Sequence, residues 1–155
     1  MKKSIFYYLF AVVCTVCLFT ACSDDDDDDN KAILTVDNIV GTYSGTLQVL
    51  GQPVPNIPIS VSKVNAGKVK VELKNFAFSG ITVGDISAEC TAILDSDGNE
   101  FDLNGAAKVT VAALGNIELP ITINGDATAK KLDIDINIAD IPVMGNIKVE
   151  YEGTK

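Results

Sequence analysis

The chain contains no arginine, no histidine and no tryptophan in 155 residues. Without histidine there is no ordinary general base near neutral pH, so neither a Ser-His nor a Cys-His pair can be assembled. Without arginine the bidentate grip on phosphate is missing, and a formal net charge of -9 opposes nucleic acid as a partner. An enzyme is not expected, and neither is a cofactor. Cysteine is also scarce. Cys14 and Cys17 fall in an apolar N-terminal run, which leaves Cys22 and Cys90. Two such cysteines offer no disulfide framework, so the fold has to stand on its hydrophobic core.

What is present begins with a leader. Lys2 and Lys3 precede an almost unbroken apolar run from Ile5 to Phe19, and Phe19-Thr20-Ala21 brings small residues up to Cys22. The run is shorter than the roughly 20 residues a spanning helix needs, and its basic front and small-residue exit are those of a signal peptide. Plain secretion would leave Cys22 as an odd thiol. The segment resembles the lipobox of bacterial lipoproteins, with Phe19 where leucine is usual. That resemblance implies cleavage before Cys22 and a thioether from its sulfur to diacylglycerol.

Ser23 and the six aspartates Asp24 to Asp29 follow at once. Adjacent carboxylates repel one another and stay solvated, so residues 22–37 form a tether reaching up to roughly 50 Å at ~3.3 Å per residue. The run Ser23-Asp24-Asp25-Asp26 also resembles the lipoprotein export signal of Bacteroidota, which implies display on the outer leaflet of the outer membrane. An inert solvated spacer accounts for the same residues. The expected organisation is a signal peptide over 1–21, acylated Cys22 and tether over 22–37, and one domain over 38–155.

That domain reads as strands nearly throughout. Tyr43, Leu47 and Val49 alternate with polar residues, as do Ile57, Ile59 and Val61. The same holds for Val69, Val71 and Leu73; for Ile86, Ala88, Cys90 and Ala92; and for Phe101 and Leu103 with Val109, Val111 and Ala113. It continues through Ile117 to Ile123, Leu132 to Ile138, and Ile147 to Tyr151. Period-two alternation of this kind marks half-buried strands. Gly84-Asp85 suggests a bulge. Reversals are expected at Asn65-Ala66-Gly67, Ser79-Gly80, Asp97-Gly98-Asn99, Asn104-Gly105, Gly115-Asn116, Asn124-Gly125-Asp126 and Gly145-Asn146. The pattern predicts an all-β antiparallel meander of eight or nine strands forming a barrel, with a two-sheet sandwich as the alternative. A single 3₁₀ turn at Val36 to Val40 is the only helix expected after the leader. Pro120 and the Lys68 to Lys74 strand read as edge protection.

The order of the motifs carries a further resemblance. Residues 36–47 (VDNIVGTYSGTL), Leu73-Lys74-Asn75-Phe76-Ala77-Phe78 with Val83-Gly84-Asp85-Ile86, Leu132 to Ile136 and Ile147 to Gly153 together look like the calycin-like, lipocalin-like lipoproteins of Bacteroidota. The resemblance implies a barrel that binds a small hydrophobic or amphipathic ligand, with Tyr43, Leu47, Ala88, Cys90, Val111 and Tyr151 as candidates for lining its cavity. Gly41-Thr42-Tyr43 echoes the Gly-x-Trp that opens true lipocalins, where the ring plugs the barrel floor. Here the ring is tyrosine, and no arginine exists to stack on it.

Other candidate sites have plainer explanations. Cys90 shares a face with Ile86 and Ala88, which marks a small buried hydrophobe. Asp133 and Asp135 share one strand face, as a carboxylate pair or as solvated residues. Asp95, Asp97 and Asn99 occupy the first, third and fifth positions of an EF-hand-like loop. Glu100 replaces its turn glycine, however, and Ala106 stands at its twelfth position, so a β-turn explains them and no metal is expected. Phe76 and Phe78 are either core or a rim contact for a sugar. The other reading of the whole is a structural or protein-interaction lipoprotein with a filled core. Replacing Cys22 with Ala should free the protein from membranes while leaving the domain folded. Fractionation reads this, and persistent membrane association after signal cleavage would overturn the anchor.

Overall fold

The alternation resolves into eight antiparallel strands in the computed structural model, which describes residues 33–155. They are β1 (Gly41–Val49), β2 (Gln52–Asn65), β3 (Lys68–Phe78), β4 (Ile81–Leu94), β5 (Phe101–Val111), β6 (Ile117–Ala127), β7 (Lys131–Ile141) and β8 (Gly145–Thr154). Each pairs with its neighbours in chain order, and β1 pairs with β8 to close a barrel. The sandwich alternative is thereby excluded. The leader, Cys22 and the acidic run lie outside the described residues.

Up-and-down order gives the barrel two distinct ends. The floor carries a short helix α1 (Val36–Ile39), the β2–β3, β4–β5 and β6–β7 turns and the C-terminus. The rim carries the β1–β2, β3–β4, β5–β6 and β7–β8 turns. Val36 and Ile39 are buried and Leu34 packs against the core, so Leu34 and Val36, which the sequence reading placed in the tether, pack with the domain. The Thr35 N–H donates to Asn38 Oδ1 at 2.8 Å, and Lys63 holds Asp37 at 2.7 Å.

Several local expectations are corrected. The turn at 36–39 is α-helical, and a 3₁₀ turn occurs at Ala112–Leu114, which leaves Ala113 exposed instead of inward. Asn104-Gly105 and Asn124-Gly125-Asp126 are not reversals; they lie inside β5 and β6, opposite one another. Asn104 donates its side-chain amide to Asn124 Oδ1 at 2.7 Å on the outer wall. The glycines serve close strand approach. A Cβ on Gly105 would meet the Glu89 carbonyl at 2.5 Å, and one on Gly125 would overlap the Asp133 carbonyl and Ile134 Cα. Such glycine points let a sheet coil tightly enough to close.

Closure also removes the edges. The lysine-bearing strand β3 pairs on both sides, and Pro120 sits in β6 against Lys108, one residue outside the β6–β7 ladder, which begins at Ile121. The β3 lysines therefore protect no edge, while Pro120 falls in the short stretch of β6 that has no β7 partner. The expected bulge near Gly84 is present: Lys74 and Asn75 together face Asp85, whose Oδ1 accepts the Asn75 N–H at 2.8 Å. Replacing Gly125 with Ala should lower the unfolding free energy by more than about 2 kcal/mol, whereas Thr122→Ala on the outer face should change it by less than about 0.5 kcal/mol. Urea titration of both variants checks this; equal effects would contradict the close-approach account.

Candidate functional site

The floor is sealed by two phenols and one ammonium. Tyr43 is fully buried, and its hydroxyl shares its proton between the carbonyls of Ile39 at 2.8 Å and Thr128 at 3.1 Å. Tyr151 lies beside it, donating to the carbonyls of Tyr43 at 2.9 Å and Ile57 at 3.1 Å. Burial pushes both phenols up to about 12. Lys155 places its ammonium 5.0 Å from the Tyr43 ring centroid and donates to the Asn38 and Val40 carbonyls at 2.7 Å each. A cation on a ring face is a favourable contact. The lysine thus takes the stacking position that the sequence left without an arginine.

The six residues named by sequence as cavity candidates all face inward. Tyr43, Leu47, Ala88, Cys90, Val111 and Tyr151 are buried among large side chains such as Ile59, Ile86, Leu103 and Ile123. Apart from the two phenols, no polar side chain is buried among the described residues. Burial also pushes the Cys90 thiol up to about 11, which disfavours a thiolate nucleophile.

An apolar cleft of about 350 Å³ opens at the rim, between the β1–β2 and β3–β4 hairpin tips. Val49, Leu50, Val54, Ala77 and Phe78 line it, with Gln52 and Ser79 as polar groups. Its cause is local. The β2–β3 ladder begins only at Ile59 opposite Leu73, so Gln52 to Pro58 of β2 runs unpaired with β3. Pro53, Pro55 and Pro58 have no N–H to give a third strand. A bulge at Pro55 and Asn56, with φ +60° at Asn56, swings the hairpin further. Leu50 and Val54 stay 56 % and 40 % exposed, while Val49 and Phe78 join the cleft to the core. Leu50 and Ser79 both adopt left-handed φ, +50° and +47°, at the two tips. Val143 and Met144, exposed in the β7–β8 turn, add apolar surface at the same end.

Sequence reasoning missed this cleft. Prolines at 53, 55 and 58 before an alternating strand were its only visible signal. Phe76 and Phe78 are buried core residues, stacked with centroids 5.6 Å apart, which answers the choice between core and sugar contact. No aromatic ring is exposed among the described residues.

The remaining candidates are not brought together. Asp95 turns the β4–β5 loop: its Oδ1 accepts the Asn99 N–H at 2.9 Å and the Glu100 N–H at 3.4 Å. The Asn99 bond, above all, lowers its pKa. Asp133 and Asp135 point outward with lysine partners. They border a second, polar hollow of about 600 Å³ on the outer wall over β7, β8 and β1, which Ser44, Thr46, Gln48, Glu150 and Glu152 also line. No grouping of acidic or cysteine ligands suited to a metal ion occurs among the described residues.

These features define a small, closed, eight-stranded meander barrel, plugged at its floor and parted at its rim. The chain belongs to the calycin-like β-barrel domain family, whose profile matches residues 39–154. None of the curated proteins matches the chain. A solved candidate outer membrane protein from Bacteroides fragilis superposes with TM-score 0.57 at 20 % identity, over 77 % of this chain. The match takes in 52 % of that protein, so this chain spans about half its length. A redesigned β-barrel bound to DFHBI is similar over 77 % of this chain and 97 % of its own, at 16 % identity and TM-score 0.42.

With residues 1–22 removed, Tyr43 and Tyr151 are the only tyrosines. A pKa raised by burial means the folded state holds its proton longer, so stability is present below pH 10 and falls as pH rises from 10 towards about 12. Tyrosinate absorbance should therefore appear near pH 12 in the folded chain and near pH 10 in denaturant. One tyrosine ionising near 10 before unfolding would contradict the sealed floor.

Proposed function

We propose that this chain is a lipid-anchored, surface-displayed binding module, not an enzyme, whose rim cleft takes a small apolar or amphipathic molecule. The cleft itself carries the reading: about 350 Å³, apolar walls, and two polar groups to orient a ligand. Its size falls within the range usual for small-molecule sites. The packed interior moves the site from the barrel axis to the rim, with Val49 and Phe78 as its base. Anchoring through Cys22 and export through Ser23 to Asp26 rest on the leader and the acidic run. They agree with the outer-membrane description of the Bacteroides fragilis protein. The absence of histidine and the burial of Cys90 favour binding over catalysis.

The same packed interior favours a second reading, a structural or protein-interaction domain without a ligand. The two separate in one titration. A dansyl-labelled fatty acid added to the chain from Ser23 onward should bind with saturable 1:1 stoichiometry. A Leu50→Asp/Val54→Asp variant of unchanged melting temperature should bind at least ~10-fold more weakly, a loss of about 1.4 kcal/mol. No binding, or binding indifferent to the two aspartates, would favour the ligand-free reading.

A further inference from the structure

The two ends of the barrel differ in charge. Residues 49–52, 78–81, 111–117 and 141–145 are the four rim turns with their flanking positions, and none is Asp, Glu or Lys. Glu118 and Asp140 stand one position further down the wall, and Lys108 answers Glu118 at 3.4 Å. The floor is built the other way, with Asp37, Asp95 and Glu100 beside Lys68, Lys130 and Lys155.

What the rim presents is apolar. Val143 is fully exposed, Leu50 is 56 % exposed and Met144 39 %. Ala77 and Ala113 are exposed at the same end, and Leu114 is half-buried. Val143 and Leu50 hold φ of +71° and +50°, where glycine or asparagine would be less strained in a turn that met only water. Ile33, Val64 and Ile93 are also exposed, but at the floor, with Val64 next to Lys63 and Ile93 opposite Asp102. An exposed apolar patch without charge marks an interaction surface. It suits lipid in particular, where buried charge is costly and buried Val, Leu or Met is favourable.

The chain outside the described domain bears on which surface is in reach. It joins the domain at the floor, at Ile33. Residues 22–32 span up to roughly 36 Å fully extended at ~3.3 Å per residue. An 11-residue strand such as β3, tilted by about 40°, makes the barrel roughly 28 Å tall. A lipid on Cys22 is thus tethered by more than the height of the barrel, which lets the rim reach the same bilayer. Held that close, even a weak contact is made at high effective concentration.

We propose that the barrel stands rim-down on the bilayer that carries its anchor, with Leu50, Val143 and Met144 in the interfacial layer. The tether geometry rests on the anchored reading above. The rim cleft then opens against lipid and takes its amphipathic ligand from the bilayer instead of bulk water. The contact is apolar, so salt leaves it intact.

The chain has neither tryptophan nor histidine of its own, so an added tryptophan and an added tag each report alone. A histidine tag placed before Ser23 holds the chain on phosphatidylcholine vesicles that contain a nickel-chelating lipid, independently of acylation at Cys22. Val143→Trp and Met144→Trp report from the rim and Ile93→Trp from the floor, each variant checked by thermal melting. Brominated acyl chains should quench both rim tryptophans, with a blue shift, and leave Ile93→Trp unchanged. The effect should be equal in ~10 mM and ~1 M salt, where the Debye length falls from about 30 to about 3 Å. Leu50→Asp and Met144→Asp added to Val143→Trp should abolish it. Quenching of Ile93→Trp alone, or of rim and floor alike, would overturn the proposal. No quenching at either end would overturn it in favour of an apolar protein partner, and quenching lost in ~1 M salt in favour of a charge-driven contact. A blue shift without vesicles that grows with protein concentration would overturn it in favour of rim-to-rim pairing of two copies. The anchor is read separately, by fractionation of the Cys22→Ala variant, so the two claims fail independently.

Discussion

Tyr43 and Tyr151 hold the first strand of this barrel against the last, and most of the fold depends on that seam. The Tyr151 hydroxyl spans from β8 to the backbone of β1 and β2, while Tyr43 reaches from β1 to α1 and the β6–β7 turn. Five separated stretches of chain thereby meet at the floor. A hydroxyl buried without a partner costs roughly 1–3 kcal/mol, so the phenols make the alternative arrangements of these strands expensive. Lys155 completes the plug from the last residue of the chain, on the face of the same ring.

Closing eight strands around a core of isoleucine, leucine, valine and two tyrosines has a consequence for function. The inward positions are occupied by side chains that touch one another, and the polar atoms buried with them are those of the two floor phenols. Chemistry available to a partner therefore lies where ladders part or where side chains face outward. The rim supplies the first, through a proline-rich stretch of β2 that cannot extend its pairing to β3. The wall supplies the second, through the carboxylates that stand opposite one another across β5 to β8. Left-handed φ at Leu50 and Val143, both exposed apolar residues at the rim, is of the kind of local strain often found near functional surfaces.

Strand phase was legible because it follows from a period of two: the inward set from Tyr43 to Tyr151 lies buried, apart from half-buried Ile57 and Ile117 and exposed Ala113. Membership of the calycin-like barrel family was legible from the order of several soft motifs. Reversals were read less well, since Asn-Gly marks a turn only when nothing else requires glycine. At Gly105 and Gly125 the requirement was the closeness of a neighbouring strand. The true β6–β7 turn uses Thr128, whose hydroxyl accepts the Lys131 N–H at 2.9 Å, and Thr128-Ala129-Lys130 carries no glycine or proline to announce it. The Lys155–Tyr43 contact joins distant ends of the chain. The rim cleft arises from where two ladders stop. Both are properties of register, which alternation does not specify.

The central claim is that the barrel interior is packed and that a ligand sits at the rim. Methyl NMR of the chain titrated with a short-chain fatty acid tests it most directly. The account predicts shifts confined to Val49, Leu50, Val54 and Ala77, with Ala88 and Val111 unmoved. Perturbation of Ala88 and Val111 with the rim methyls unchanged would contradict it and return the site to the barrel axis.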